Sequence, residues 1–205
     1  MKTKLIVFTR YPQAGRTKTR LIPALGAEGA ADLQRQMTKQ IVRTALLLTE
    51  DVPLEIEINF AGGSIGEMEN WLGQDLCYRP QGSGDLGEKM DRAFSESFHD
   101  GYHQVIIIGA DCPNISVPIL TEAFNKLAEQ DLVLGPATDG GYYLIGLSAL
   151  YPRLFTKLPW GTSKVLPKTL AIAEKLALSL FLLEELSDVD RPEDLKYFGG
   201  DPHPE

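Results

Sequence analysis

Four cationic side chains, Arg10, Arg16, Lys18 and Arg20, crowd the stretch FTRYPQAGRTKTRLIP that follows the first apolar run of the chain. Guanidinium and ammonium groups gathered on a loop suit a polyphosphate, since each donates charge-assisted hydrogen bonds to phosphate oxygens. Gly15 allows the backbone to approach a ligand closely. Lys18 and Arg20 straddle one residue and point the same way if the segment is extended. The bland alternative is a solvated connection, but a long loop between a strand and a helix is uncommon without a function. Two standard nucleotide loops do not fit. A P-loop needs glycine directly before its Lys-Thr pair, where Thr17 stands, and a GxGxxG fingerprint would need more glycines than Gly15.

Carboxylates form the second chemical group. Asp111 ends the apolar run VIIIGAD, a costly place for an unpartnered charge. It reads either as a cap or loop brace, or as a ligand for a hard cation. Mg²⁺ takes one or two carboxylates and completes its shell with water and substrate phosphates. Asp188 and Asp190 are able to supply the second carboxylate, or to cap the helix that Pro192 signals. Asp139, Gly140 and Gly141 lie in the turn TDGG, which is a plain hairpin signal or a place where a substrate lies against backbone. In QGSGDLG, Asp85 fits a helix cap, while Gly82, Gly84 and Gly87 leave backbone groups free for a base or ribose. His99, His103 and His203 are scattered, and no Ser-His-Asp or Cys-His arrangement is visible. Cys77 and Cys112 stand far apart without CxxC spacing, so neither a disulfide framework nor a zinc pattern follows.

The elements that must position these groups alternate between short apolar runs and longer amphipathic ones, the pattern of a mostly parallel α/β sheet. Strands are expected at 5–9, 54–60, about Leu76–Arg79, 105–111, over DLVLGPA, at 141–147 and over SLFLLEE. The run at 105–111 predicts a central strand covered on both faces. A helix is expected from about Ala27 to Leu48, with Leu33, Met37, Ile41, Ala45 and Leu48 on one face. Further helices are expected at GEMENWLG, 88–98, Pro118–Gln130, Leu166–Leu176 and after RPEDL. Ligands of such a sheet bind outside the carboxyl ends of the strands, where the cationic loop, Asp111, Asp139 and the pair Asp188 and Asp190 all fall.

The chain has 205 residues, 43% of them hydrophobic and 23% charged. That fits one domain over 1–205 with a full core. With 20 Lys+Arg against 28 Asp+Glu the net charge is −8, which argues against nucleic-acid or membrane-surface binding. No apolar run reaches the length of a signal peptide core or a membrane span, so a cytoplasmic protein is expected.

G-x-x-K-T-R-L near the start, then D-L-G-E-K-M, G-A-D-C-P, G-P-A-x-D-G-G-Y-Y-L-I-G-L and D-V-D-x-P-E-D-L occur here in that order. Together they resemble the DUF2064 family, GT-A-like proteins labelled radical-SAM/selenodomain-associated transferases and often called glycosyltransferases. The K-T-R-L loop is also similar to that of phospholactate guanylyltransferases of the same nucleotide-diphospho-sugar transferase superfamily. The resemblance implies a three-layer α/β/α sandwich, an enzyme, and a nucleotide bound with a divalent cation, Mg²⁺ or Mn²⁺. It implies that Arg10, Gly15, Arg16, Lys18 and Arg20 lie by the phosphates. Asp111 would be the main metal ligand, completed by Asp188 or Asp190, and Lys18, Arg20 and Asp111 would carry catalysis. Gly84, Asp85 and Leu86 would lie by the base or ribose, and Asp139, Gly140 and Gly141 by the second substrate. Many GT-A glycosyltransferases carry Asp-x-Asp at the metal strand, whereas Gly109 stands two before Asp111 here. A single aspartate is more typical of nucleotidyltransferases. Glycosyl transfer from a nucleotide-diphosphate sugar to a small acceptor is expected first. Nucleotidyl transfer from a nucleoside triphosphate to a phosphorylated small molecule, with pyrophosphate release, is the alternative, and a non-catalytic nucleotide-binding protein comes third.

Overall fold

A computed structural model describes residues 2–49 and 53–198; His203 lies outside them. Seven strands form one sheet in the order β3-β2-β1-β4-β6-β5-β7. They are β1 (Thr3–Arg10), β2 (Leu54–Ala61), β3 (Cys77–Pro80), β4 (Gln104–Gly109), β5 (Leu132–Pro136), β6 (Tyr142–Leu147) and β7 (Leu180–Leu182). β1 pairs in parallel with β2 and with β4, β2 with β3, and β5 with β7. Only β6 runs antiparallel, between β4 and β5, because the TDGG turn reverses the chain after β5.

Helices cover both faces. α1 (Ile22–Leu48), α2 (Ile65–Leu72) and α4 (Val117–Leu127) pack on one side; α3 (Leu86–His99) and α5 (Val165–Lys175) pack on the other. Side chains of β4 alternate between the two layers, with Ile106 and Ile108 in the first and Val105 and Ile107 in the second. All four are buried, as expected of a strand covered on both faces. The first turn of α1 breaks at Gly26, whose φ of 71° is left-handed. Glycine takes that conformation without a side-chain clash, and the regular helix starts at the following residue. From there Leu33, Met37, Ile41, Ala45 and Leu48 all face the core.

β2 departs from its alternating pattern. LEIEINF alternates apolar with polar residues, yet Glu57 and Asn59 are buried together with Ile56, Ile58 and Phe60. The polar face is satisfied internally. Lys4 Nζ lies 3.0 Å from Glu57 Oε2 and 3.5 Å from Glu55 Oε1, and Arg79 Nε lies 3.5 Å from Glu57 Oε1. Asn59 Nδ2 also donates to Glu57 Oε1, at 2.5 Å. The segment that follows β7 matters for the site. Leu186 forms a bridge with Ala137, and its backbone N–H donates to the Pro136 carbonyl at 3.1 Å. The segment then crosses to the end of β4, where Val189 N–H donates to the Asp111 carbonyl at 2.9 Å. No helix among the described residues is long and apolar enough to cross a membrane.

Candidate active site

The carboxyl ends of β1, β4 and β5, with the start of β6, open onto a cleft of about 680 Å³. Parallel strands deliver their loops on one edge, which is why residues far apart in sequence meet there. Arg10, Arg16, Lys18 and Arg20 line one end, over β1. Asp111, Asp139, Asp188 and Asp190 also line it, together with Leu86 and Gly141.

Two of the four cations are already matched with carboxylates. Lys18 Nζ lies 2.8 Å from Asp111 Oδ1 and donates to the Val189 carbonyl at 2.5 Å. Its side chain is 4% exposed, whereas that of Asp111 is 56% exposed. Arg20 pairs with Asp190. Arg10 and Arg16 are exposed, and neither has a carboxylate partner among the described residues. The loop backbone is held by Thr17, which is buried. Its hydroxyl donates to the Tyr11 carbonyl at 3.0 Å and accepts from Gln13 N–H at 3.1 Å. Lys18 itself adopts a left-handed φ of 50°. Non-glycine residues take that conformation at some cost, and functional sites tolerate it.

The carboxylates feel one another. Burial first, then the neighbouring Asp139 charge, pushes the Asp188 carboxyl up from its ordinary value. Burial, then the charges of Asp188 and Asp111, pushes the Cys112 thiol up, so this cysteine is not an activated nucleophile. The one group of three His, Cys, Asp or Glu ligand atoms lying within 4.8 Å of one another among the described residues is elsewhere, at Glu55, Glu57 and Cys77. Glu57 there is taken by Lys4, Arg79 and Asn59. The cleft carboxylates thus share one space without converging on a three-carboxylate cage, and two of them are tied to cations.

Several expected residues do other work. Asp85 Oδ1 accepts from Glu88 N–H at 2.9 Å, and Glu88 Oε2 accepts from Asp85 N–H at 2.8 Å. This is a capping box that starts α3. Gly84 has φ 106°, and a side chain there would meet Glu88 Oε2 at 2.5 Å. Arg92 donates to the Gln81 and Ser83 carbonyls at 2.6 and 2.8 Å and holds this loop. Neither Gly84 nor Asp85 lines the cleft, although Leu86 does. Gly15 is likewise off the lining and serves the turn, with φ 77°. Asp139 Oδ1 accepts from Gly141 N–H at 2.7 Å, which braces the β5–β6 turn. Gly140 faces away from the cleft: a side chain there would strike Ser163 Cα at 2.5 Å, and its carbonyl accepts from Leu166 N–H at 2.9 Å.

That packing exposes a wall that sequence reasoning missed. Tyr142, Trp160, Gly161, Thr162 and Val165 line the cleft beyond Asp139. Trp160 meets Tyr142 edge-on, with ring centroids 6.3 Å apart and planes at 84°, an arrangement that aromatic pairs prefer. Its indole nitrogen would lie 2.8 Å from a side chain at Gly87, so that glycine makes room for the ring. The only signal was the Pro159-Trp160-Gly161 punctuation in a connection without regular structure.

The sandwich is the fold of nucleotide-diphospho-sugar transferases and nucleotidyltransferases. A Desulfovibrio desulfuricans G20 protein, provisionally described as a nucleotide-diphospho-sugar transferase, is 30% identical over 93% of this chain and 84% of its own, with a TM-score of 0.83. A nucleotidyl transferase from Methanothermobacter is 17% identical over 95% of this chain and 94% of its own, with a TM-score of 0.61. Rv0371c from Mycobacterium tuberculosis H37Rv, in complex with manganese, is 14% identical over 96% of this chain and 97% of its own, with a TM-score of 0.56. No curated protein matches the chain. The profile of DUF2064, described as "Uncharacterized protein conserved in bacteria", matches residues 44–162, and the chain belongs to this family.

Proposed function

We propose that the chain is a nucleotide-dependent transferase that moves a glycosyl group from a nucleotide-diphosphate sugar to a small acceptor with a divalent cation, within one domain over residues 1–205. The observation that carries this reading is the cleft in which Arg10, Arg16, Lys18 and Arg20 face Asp111, Asp188 and Asp190. Arg10 and Arg16, exposed and free of carboxylates among the described residues, are the cations open to a diphosphate. Lys18 fixes the Asp111 carboxylate through Oδ1, and Asp111, more than half exposed, lines the cleft. The donor set is all carboxylate, which suits Mg²⁺ or Mn²⁺ rather than a soft metal. Asp111 with Asp188 or Asp190 would hold such an ion, which would supply positive charge against a diphosphate leaving group. The chain's own part is to orient the diphosphate with the arginines and to place charge against the developing anion. The manganese bound to a protein of the same fold agrees with this metal class.

Nucleotidyl transfer is the second reading, favoured by the lone aspartate after β4, with Gly109 two residues before it. One assay separates the readings. The protein is incubated with Mg²⁺ or Mn²⁺ and a panel of nucleotide sugars and nucleoside triphosphates, and nucleoside diphosphate and pyrophosphate are followed. Nucleoside diphosphate release that requires Asp111 and a nucleotide sugar supports glycosyl transfer, while pyrophosphate release overturns it in favour of nucleotidyl transfer. Thermal stabilisation by nucleotide without turnover of any donor leaves a binding protein.

A further inference from the structure

The two halves of the cleft differ in charge, and the difference bears on what the second substrate is. All four lining cations belong to the end of β1 and the loop after it. Beyond Asp111 the lining passes through Asp139, Asp188, Gly141, Tyr142, Trp160 and Thr162, and among the described residues this half holds no lysine, arginine or histidine. Asp139 and Asp188 have no ion-pair partner among the described residues. A carboxylate only accepts hydrogen bonds, so Asp139 asks for donors, while Asp188 is one of the two candidates to hold the cation with Asp111. Trp160 is fixed between Gly87 and Tyr142 and supplies a rigid apolar surface. Small-ligand sites combine such a wall with a few placed polar groups.

We propose that this half of the cleft takes an acceptor that offers hydroxyl groups and carries no phosphate or carboxylate, with Asp139 as the residue that sets the preference. The proposal rests on the transferase reading, because it makes this half the place of the second substrate. The physical cause is simple. Hydroxyls donate to Asp139 while the carbon face of a polyol packs on the aromatic wall. A phosphorylated acceptor would set its charge against the unpaired carboxylate of Asp139, and like charges repel strongly at short range in a site partly shielded from water.

The test is ligand-observed saturation-transfer NMR on the full chain, with inorganic pyrophosphate and Mg²⁺ present to fill the cationic half. The probes are matched pairs: glycerol and glycerol 3-phosphate, methyl glucoside and glucose 6-phosphate, inositol and inositol monophosphate. In at least one pair the neutral member should bind saturably and about tenfold or more tightly than its phosphorylated partner. Asp139→Asn keeps an oxygen for the Gly141 N–H, and hence the turn, but removes the charge; it should shrink that ratio severalfold. Equal or tighter binding of the phosphorylated members, a ratio untouched by Asp139→Asn, or no saturable binding of any neutral member overturns the proposal. Pyrophosphate binding is recorded in the same samples, in the wild type and in Arg16→Ala. If pyrophosphate does not bind, or binds Arg16→Ala as well as the wild type, the polyphosphate reading of the cleft falls separately.

Discussion

Lys18 and Asp111 form one ion pair whose two ends lie in different surroundings. The lysine is buried and its partner is half in water, so removing one side is not equivalent to removing the other. Asp111→Ala leaves a buried Nζ with the Val189 carbonyl alone, and an underserved buried donor costs about 1–3 kcal/mol. Lys18→Met leaves Asp111 to solvent and should cost less. Denaturant midpoints of the two variants measure this, and a larger loss from Lys18→Met would refute the asymmetry. Asp111→Asn, which still offers Nζ an acceptor, is the cleaner variant for activity. Asp188 leads to a pH prediction. Its carboxyl is pushed up by burial and by Asp139, so folding favours its protonated form, and its ionisation destabilises the ligand-free protein at neutral pH. Asp188→Asn should raise the melting temperature at neutral pH, with the gain fading as the pH falls through the raised value and toward the ordinary one. A gain that persists unchanged in acid would mean that charge is not its cause. The residue types at both ends of the cleft were legible in the sequence. Their pairing was not, because Lys18 meets Val189 only through the folded sheet edge.

At the scale of elements, apolar pattern located most of the secondary structure, and β2 shows where pattern misleads. Alternation predicts a wet face whenever polar residues recur at every second position, but Glu57 is covered once Lys4 and Arg79 come alongside from neighbouring strands. Breaking a buried pair leaves its partner uncompensated and costs about 3–5 kcal/mol. Glu57→Ala should lose stability of that order in urea unfolding, whereas Glu69, on α2 and in no ion pair among the described residues, should tolerate the same change. The glycines teach a related lesson. Gly84 and Gly140 read as openings for a ligand in the sequence, yet one accommodates a helix cap and the other a neighbouring backbone. Gly140→Ala places a side chain against Ser163 at a φ of 87°. It should perturb the 158–165 wall and acceptor use while nucleotide binding persists. Loss of both together would indicate general damage. Trp160 and Thr162 escaped notice because a connection with no periodicity carries no sign of which side it presents.

For the molecule as a whole, the sandwich followed from the order of apolar and amphipathic runs, while the single antiparallel strand depended on one turn. The two cysteines report on this whole. Cys77 is exposed on edge strand β3 and Cys112, in the cleft wall, is 2% exposed. Iodoacetamide should alkylate Cys77 in the native protein and reach Cys112 only as fast as the structure opens, a difference that mass spectrometry of each peptide resolves. Comparable native labelling of both would contradict the packing of Cys112.

Lys18 and the Val189 carbonyl are separated by 171 positions along the chain, yet they touch. During synthesis, β1 through β6 can emerge from the ribosome and begin to pair while the Val189 segment is still inside the exit tunnel. The cleft then lacks the strand of backbone that fixes Lys18, and contacts so distant in sequence form late because closing a long loop is slow. A nascent chain stalled before this segment clears the tunnel would carry a sheet without a finished ligand site. Competence to bind would therefore arrive only once this segment has cleared the tunnel, after most of the core has already set.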